Sequence, residues 1–323
     1  MAIGSFREYA LPQADSGLMR PAIDHAGRLW FGEMGHNYLA VFDPRSQVFQ
    51  QMTPPHGRSG IMGVLVAPDD TIWFAEQYAN YIGHYFPKTG QYKIYPLPTL
   101  RVPDPSNTGK TFTLPSAPND VALDAHGDVW FTELNADSLA RLDPHRGIIR
   151  QYALSAKRSV QTLDPYGVAV DPQGMVWFTE SSTNHIGRLD PTTGKISLFT
   201  MPGRDTLLME IASDAHGTIW ATSFATGLLL RFDPRSRSFT TYYAPTSGNG
   251  TGGLYGLAVT ESGEVWVTVS AENMIARLDV AGGRFVYYVL PTKNSLPLGL
   301  VMGAHHTLWF TEAGSDKIGV LRP

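Results

Sequence analysis

The chain has no cysteine in its 323 residues. That excludes disulfides, a thiolate nucleophile and cysteine-ligated zinc, and it fits oxidising and reducing compartments alike. Charge is sparse as well. Asp, Glu, Lys and Arg make up 17% of the chain and leave a net charge of −4, which gives no electrostatic footprint for nucleic acid. No run of 18 apolar residues occurs, so no membrane-spanning helix is expected. The opening stretch, Met1 to Tyr9, lacks the charged and apolar regions of a signal peptide. The expectation is therefore a cytoplasmic protein, or an exported one whose leader has been removed. The H-E-x-x-H, G-x-S-x-G, P-loop and Rossmann phrases are also missing.

What the chain does have is tryptophan in register. All seven (Trp30, Trp73, Trp130, Trp177, Trp220, Trp266 and Trp309) recur at intervals of 43, 57, 47, 43, 46 and 43 residues. A period of about 40–50 residues carrying one strand-like Trp phrase is the mark of a propeller blade. The unit around Trp177 shows four strand-like pieces: Tyr166–Asp171, Met175–Glu180, Asn184–Asp190 and Lys195–Thr200. Turns such as Asp143-Pro144, Asp190-Pro191 and Asp233-Pro234 separate the last two pieces of their units. The reading is an all-β, seven-bladed β-propeller with four antiparallel strands per blade, forming one domain over residues 1–323. The last unit lacks its outer strand, and Phe6–Ala10 matches the outer strands at Tyr92–Tyr95 and Ile149–Tyr152. The N-terminal segment is therefore expected to complete blade seven and remove the open edge. The Trp residues themselves are read as packing between blades.

A propeller places the start of each inner strand and the end of each second strand at one mouth of the central channel. The pairs that open the inner strands are Met19-Arg20, Met62-Gly63, Asn119-Asp120, Tyr166-Gly167, Met209-Glu210, Tyr255-Gly256 and Leu298-Gly299. Glycine at four of the second positions permits close backbone approach. Arg20, Asp120 and Glu210 break that pattern with charge, as a site grafted on a symmetric scaffold would. They are candidate catalytic groups, with Asp120 and Glu210 as base or as Mg or Ca ligands and Arg20 stabilising negative charge. The first positions (Met19, Met62, Asn119, Tyr166, Met209, Tyr255 and Leu298) suit a hydrophobic or aromatic small molecule, or a plug. A second ring follows Trp: Glu33, Glu76, Glu133, Glu180, Ser223, Val269 and Glu312. Its carboxylates are read mainly as scaffold, any one being able to serve as a base or ligand. The long connections 96–118 and 245–253 emerge at the same mouth and are expected as lids. His25, His126, His216, His305 and His306 fall in turns at the opposite face. A monomer is expected.

The phrases Val176-Trp-Phe-Thr-Glu180, Asn184-x-Ile-Gly-Arg-Leu189 and Pro165-Tyr-Gly-Val-Ala169 resemble those of the virginiamycin B lyase (streptogramin lyase) propellers, over all seven blades. The resemblance implies Mg-dependent elimination at the ester of a cyclic depsipeptide. It places a His at the opening of blade six, a Glu-Pro-His at the opening of blade seven, and a Glu near the end of the next strand. Here those positions read Tyr255, Leu296-Pro297-Leu298 and Glu312. The resulting expectation is a propeller that binds a hydrophobic small molecule and cleaves an ester or lactone C–O bond by elimination or metal-assisted hydrolysis. The alternatives are a non-catalytic ligand- or protein-binding propeller and a calcium-dependent lactonase of the gluconolactonase type. A metal in the channel would favour either enzyme, and a dry channel filled by Met and Tyr the binder.

Overall fold

In the computed structural model, seven four-stranded antiparallel sheets follow one another around a ring, and a two-stranded ribbon interrupts the sequence between blades two and three. The structure describes residues 4–103, 109–155, 163–203, 206–244 and 253–323. Strands form where the sequence alternates β-branched and aromatic residues between Asp, Gly and Pro turns. Blade four runs Pro165–Val170, Val176–Glu180, His185–Leu189 and Ile196–Thr200, within about a residue or two of the sequence reading. Blade seven is closed as expected. Ser5–Ala10 pairs antiparallel with Lys317–Arg322, setting Phe6 opposite Leu321 and Tyr9 opposite Ile318.

The core lies between the blades. Each of seven apolar clusters spans one seam, built on the Trp of one blade and the inner, second and third strands of the next. Trp73 packs with Val121, Val129 and Phe131, Trp177 with Ile211 and Phe232, and Trp309 with Leu29 and Phe31. The Trp side chains are 0–7% exposed. In four blades the indole N–H donates to an Asp six residues upstream: Trp30 to Asp24, Trp130 to Asp124, Trp177 to Asp171 and Trp220 to Asp214. That bond lets a large amphipathic ring be buried without stranding its donor.

The inner strands are not regular. In blades two to seven the pairing slips by one residue near the strand start, between Ile61 and Val64, Pro118 and Val121, Pro165 and Val168, Leu208 and Ile211, Leu254 and Leu257, and Pro297 and Leu300. The two residues inside each slip are the mouth pair. A bulge breaks the alternation of side chains and re-aims them, so both members of a pair serve the channel. Blade one reaches the same result differently. Its inner strand is only Ala22–Ile23, with Leu18 bridged to Glu33.

A bulge leaves backbone groups unpaired, and here threonine takes them up. Gly256 N–H donates to the Thr268 hydroxyl at 2.7 Å, and that hydroxyl donates onward to the Leu298 carbonyl of the next blade at 2.8 Å. Thr132, Thr179, Thr222 and Thr311 repeat the relay toward Tyr166, Met209, Tyr255 and Met19. Each buried hydroxyl thus fixes the bulge of its own blade and the mouth residue of its neighbour. Replacing Thr268 by Val keeps the shape but strands one buried donor and one buried acceptor. The expected cost is about 3 kcal/mol in urea unfolding, with the fold retained.

Candidate functional site

The first-position residues close the channel mouth. Met19, Met62 and Tyr255 are buried together, and Met34, Tyr166, Met209, Phe224 and Leu298 pack on them with part of their surface exposed. The Tyr166 and Tyr255 hydroxyls share a hydrogen bond of 2.5 Å, their rings meeting edge to face. Phe224 approaches Tyr255 edge-on from the other side. Asn119, the polar exception, turns away into the seams. Its amide donates to the Tyr166 carbonyl at 2.9 Å and accepts from Gln77 at 3.2 Å. Met34 and Phe224 escaped the sequence reading, although each stands one residue beyond the second ring.

Arg20, Asp120 and Glu210 do meet within this ring. Arg20 Nε donates to Glu210 Oε1 at 2.5 Å, Arg20 Nη1 lies 3.7 Å from Asp120 Oδ1, and the guanidinium sits 5.0 Å from the Tyr166 ring centroid. Asp120 also accepts the Val168 N–H at 3.0 Å. All three charged residues are 8–9% exposed. Burial works against the charge on Arg20, but attraction from Asp120 and Glu210 outweighs it and holds the guanidinium well above its ordinary range. Burial, helped by Asp120, pushes Glu210 up to about 7 against the pull of Arg20. Burial likewise raises the Tyr166 and Tyr255 phenols above their ordinary value. Glycines at the other second positions are required by close approach. A Cβ on Gly256 would lie 2.2 Å from the Leu298 carbonyl oxygen, and one on Gly167 2.7 Å from that of Met209.

The Glu ring behaves differently from a mouth lining. All five carboxylates are fully buried and turn into their own blades. Glu33 accepts from Gln51, Glu133 from Gln151 and Ser138, and Glu180 from His185 and Thr183. Glu312 accepts from Ser315 at 2.8 Å and sits beside Glu8 and Lys317 at the closing strand, apart from the Arg20 cluster. Burial first, and then the Glu8 carboxylate, push it up to about 7. Glu76 has a partner at neither oxygen, and burial pushes it up to about 7 as well.

The donor set does not suit a divalent cation. Asp120 and Glu210 already compensate a fixed guanidinium, and the Glu-Pro-His position reads Leu296-Pro297-Leu298. Among the described residues no three His, Asp or Glu side chains gather in a way that would hold a metal ion.

Of the two connections expected as lids, 96–118 is described in part. Thr99–Pro103 and Thr111–Pro115 form a ribbon whose Leu100 is buried beside Ala136, Asp137 and Ser138 of blade three, leaving Phe112 and Leu114 exposed. Residues 104–108 and 245–252 lie outside the described residues. At the opposite mouth, clefts of about 330 and 980 Å³ open between the turns of blades three to seven, the larger lined by Thr260, Glu261, His305 and His306. His25, His126 and His216 also lie in first-to-second-strand turns of that face, the His25 ring on Asp70.

A model of the virginiamycin B lyase family matches residues 103–323. No curated protein matches the chain. Among solved structures, virginiamycin B lyase from Staphylococcus aureus is 25% identical, with 99% of this chain and 100% of that chain covered and a TM-score of 0.85. A streptogramin B lyase is 27% identical over 99% and 97% of the two chains, also at 0.85. A catalytically inactive histidine-to-alanine variant of the S. aureus enzyme, solved with quinupristin, matches at 25% identity, 99% and 100% coverage and 0.85.

Arg20→Met would leave Asp120 and Glu210 buried without their cation, at an expected cost of about 3–5 kcal/mol. Adding Glu210→Gln is expected to recover part of that loss in the same unfolding assay. Glu76 holds its proton to about pH 7 when folded but only to about 4.5 when unfolded. Its contribution is therefore intact below pH 4.5 and lost as pH rises through 7. Glu76→Gln should remove up to about 3 kcal/mol of that fall, making the variant the more stable protein at pH 8.

Proposed function

This chain belongs to the virginiamycin B lyase family, and from that premise we propose that it holds an apolar, ring-bearing small molecule on the mouth floor without performing the family's elimination. An elimination of this kind needs a base to take the proton from the carbon next to the C–O bond while the ester oxygen leaves as a carboxylate. The base works best when it is accessible and has a pKa near neutral. The observation that carries the proposal is the state of Tyr255. It stands where the resemblance places the blade-six histidine, is only 4% exposed, and is bonded to Tyr166 with its pKa well above 10. Leu298 occupies the histidine position of blade seven and is part of the same apolar floor. The relative solved with quinupristin supports the separation of binding from chemistry, since that variant is inactive and yet accompanied by the ligand.

The floor supplies what such a ligand requires: polarizable Met34 and Met209, the faces and edges of Tyr166 and Phe224, and Leu298. A second reading keeps catalysis and rests on Glu210, whose pKa of about 7 beside a fixed Arg20 suits a carboxylate base acting on an ester or lactone. In that reading Asp120 and Arg20 stabilise the developing charge. A Mg or Ca ion would have to displace Arg20 from both carboxylates, which is why the calcium-dependent lactonase reading ranks lower.

Quinupristin separates the readings. Elimination opens the ring without changing mass, so intact and linear forms are resolved by chromatography and fragmentation. The expected result is an intact ring after prolonged incubation. Anilinonaphthalene sulfonate, an aromatic dye, is expected to bind with enhanced fluorescence, and Met209→Asp to weaken it about tenfold or more by placing a charge in the floor. Ring opening that Glu210→Gln abolishes would install the second reading. Dye binding indifferent to Met209→Asp would remove the floor as the site.

A further inference from the structure

Each inner strand is entered through one residue in the left-handed region of backbone space. In chain order these are Gly17, Gly60, Ala117, Asp164, Leu207, Gly253 and Leu296, with φ between +47° and +62°. Glycine meets this requirement at no steric cost, whereas a side chain crowds the following carbonyl. Asp164 eases its position with a side-chain bond from Ser182, and Ala117 is small and buried. Leu207 and Leu296 have neither excuse. Both are large, branched and apolar, and both remain exposed, at 38% and 41%. Burial therefore does not offset their backbone strain, and strain of this kind, kept without a packing return, tends to mark a functional position.

Their placement gives the strain a use. Leu207 opens blade five and its carbonyl accepts the N–H of Phe224, the floor residue set against Tyr255. Leu296 opens blade seven, two residues before Leu298 of the floor, and its carbonyl accepts the Ala313 N–H. Blade six between them enters through Gly253, which has no side chain. Two exposed leucines thus stand at the entries of blades five and seven, on either side of the blade that carries Tyr255, and the nearby Met209, Phe224 and Leu298 keep part of their surface open.

We propose that Leu207 and Leu296 are specificity-determining residues that grip an apolar aromatic ligand from the two sides of blade six. The inference rests on the floor being a ligand site, as proposed above. It adds that the ligand spans blades five to seven and is selected for a flat apolar body rather than for a polar or metal-bound group.

Glycine is the substitution that tests this, because it removes the side chain and relieves the backbone at the same time. Leu207→Gly, Leu296→Gly and the double variant are compared with the wild type for melting temperature and for affinity toward anilinonaphthalene sulfonate. Ala117→Gly, the same backbone relief in blade three, is the control. The expected result is a melting temperature unchanged or raised by about 2–4 °C in every variant, with dye affinity tenfold or more weaker in the double variant and unaltered in the control. Undiminished affinity in the double variant overturns the inference while leaving the floor reading intact. A lowered melting temperature also overturns it, because the leucines would then be holding the fold. A wild type that does not bind the dye overturns the floor reading and this one with it.

Discussion

The threonine hydroxyl near the end of five of the seven Trp phrases is the contact on which the mouth depends. A bulged inner strand needs an acceptor for its displaced N–H, and the neighbouring blade needs a donor for its mouth carbonyl. One buried hydroxyl supplies both, at 2.7–2.8 Å in blade six. Because the relay joins adjacent blades, Met19, Tyr166, Met209, Tyr255 and Leu298 are each held from the preceding blade as well as their own. Blades one and two have Gly32 and Ala75 at the threonine register. The seam after blade two is joined instead through Gln77 and Asn119. The polar exception in the first ring is thus a substitute for a missing hydroxyl.

The close approach set by these contacts decides which side chains the second positions tolerate. Where neighbouring backbones nearly touch, only glycine fits, and the three positions that carry long side chains direct them to one another. Arg20 faces two carboxylates in a space that water enters little, and burial relieves part of the excess negative charge by pushing Glu210 up to about 7, so each member depends on the others. Above it the Met and Tyr residues present a surface with little hydrogen-bonding capacity. A shared propeller scaffold leaves the side chains at this mouth free to differ from one family member to another.

The seven-fold register, the four strands per blade and the closing N-terminal strand were legible because Trp spacing and turn residues report directly on strands and their ends. Arg20, Asp120 and Glu210 were legible as departures from glycine. Their meeting and mutual compensation were not, because both depend on channel width and side-chain reach. Glu312 shared a register with the candidate site, but register gives only the height along a strand. Its direction was set by Ser315 and Lys317, one turn further on in the chain. The left-handed leucines were invisible for a different reason. Glycine at Gly17, Gly60 and Gly253 hints at positive φ, and nothing in the letter Leu does so.

The pairing of Phe6 with Leu321 has a temporal side. The two strands that close the circle lie at opposite ends of this sequence, so a growing chain must carry its first strand unpaired while six blades assemble behind it. Loop-closure entropy rises only slowly with the length of the intervening chain, and most of that length is already condensed into neighbouring blades by then. The clasp therefore demands patience of the first strand more than free energy. Its alternating, charge-bearing sequence, Ser-Phe-Arg-Glu-Tyr-Ala, is one that can wait in water without recruiting a stranger's edge.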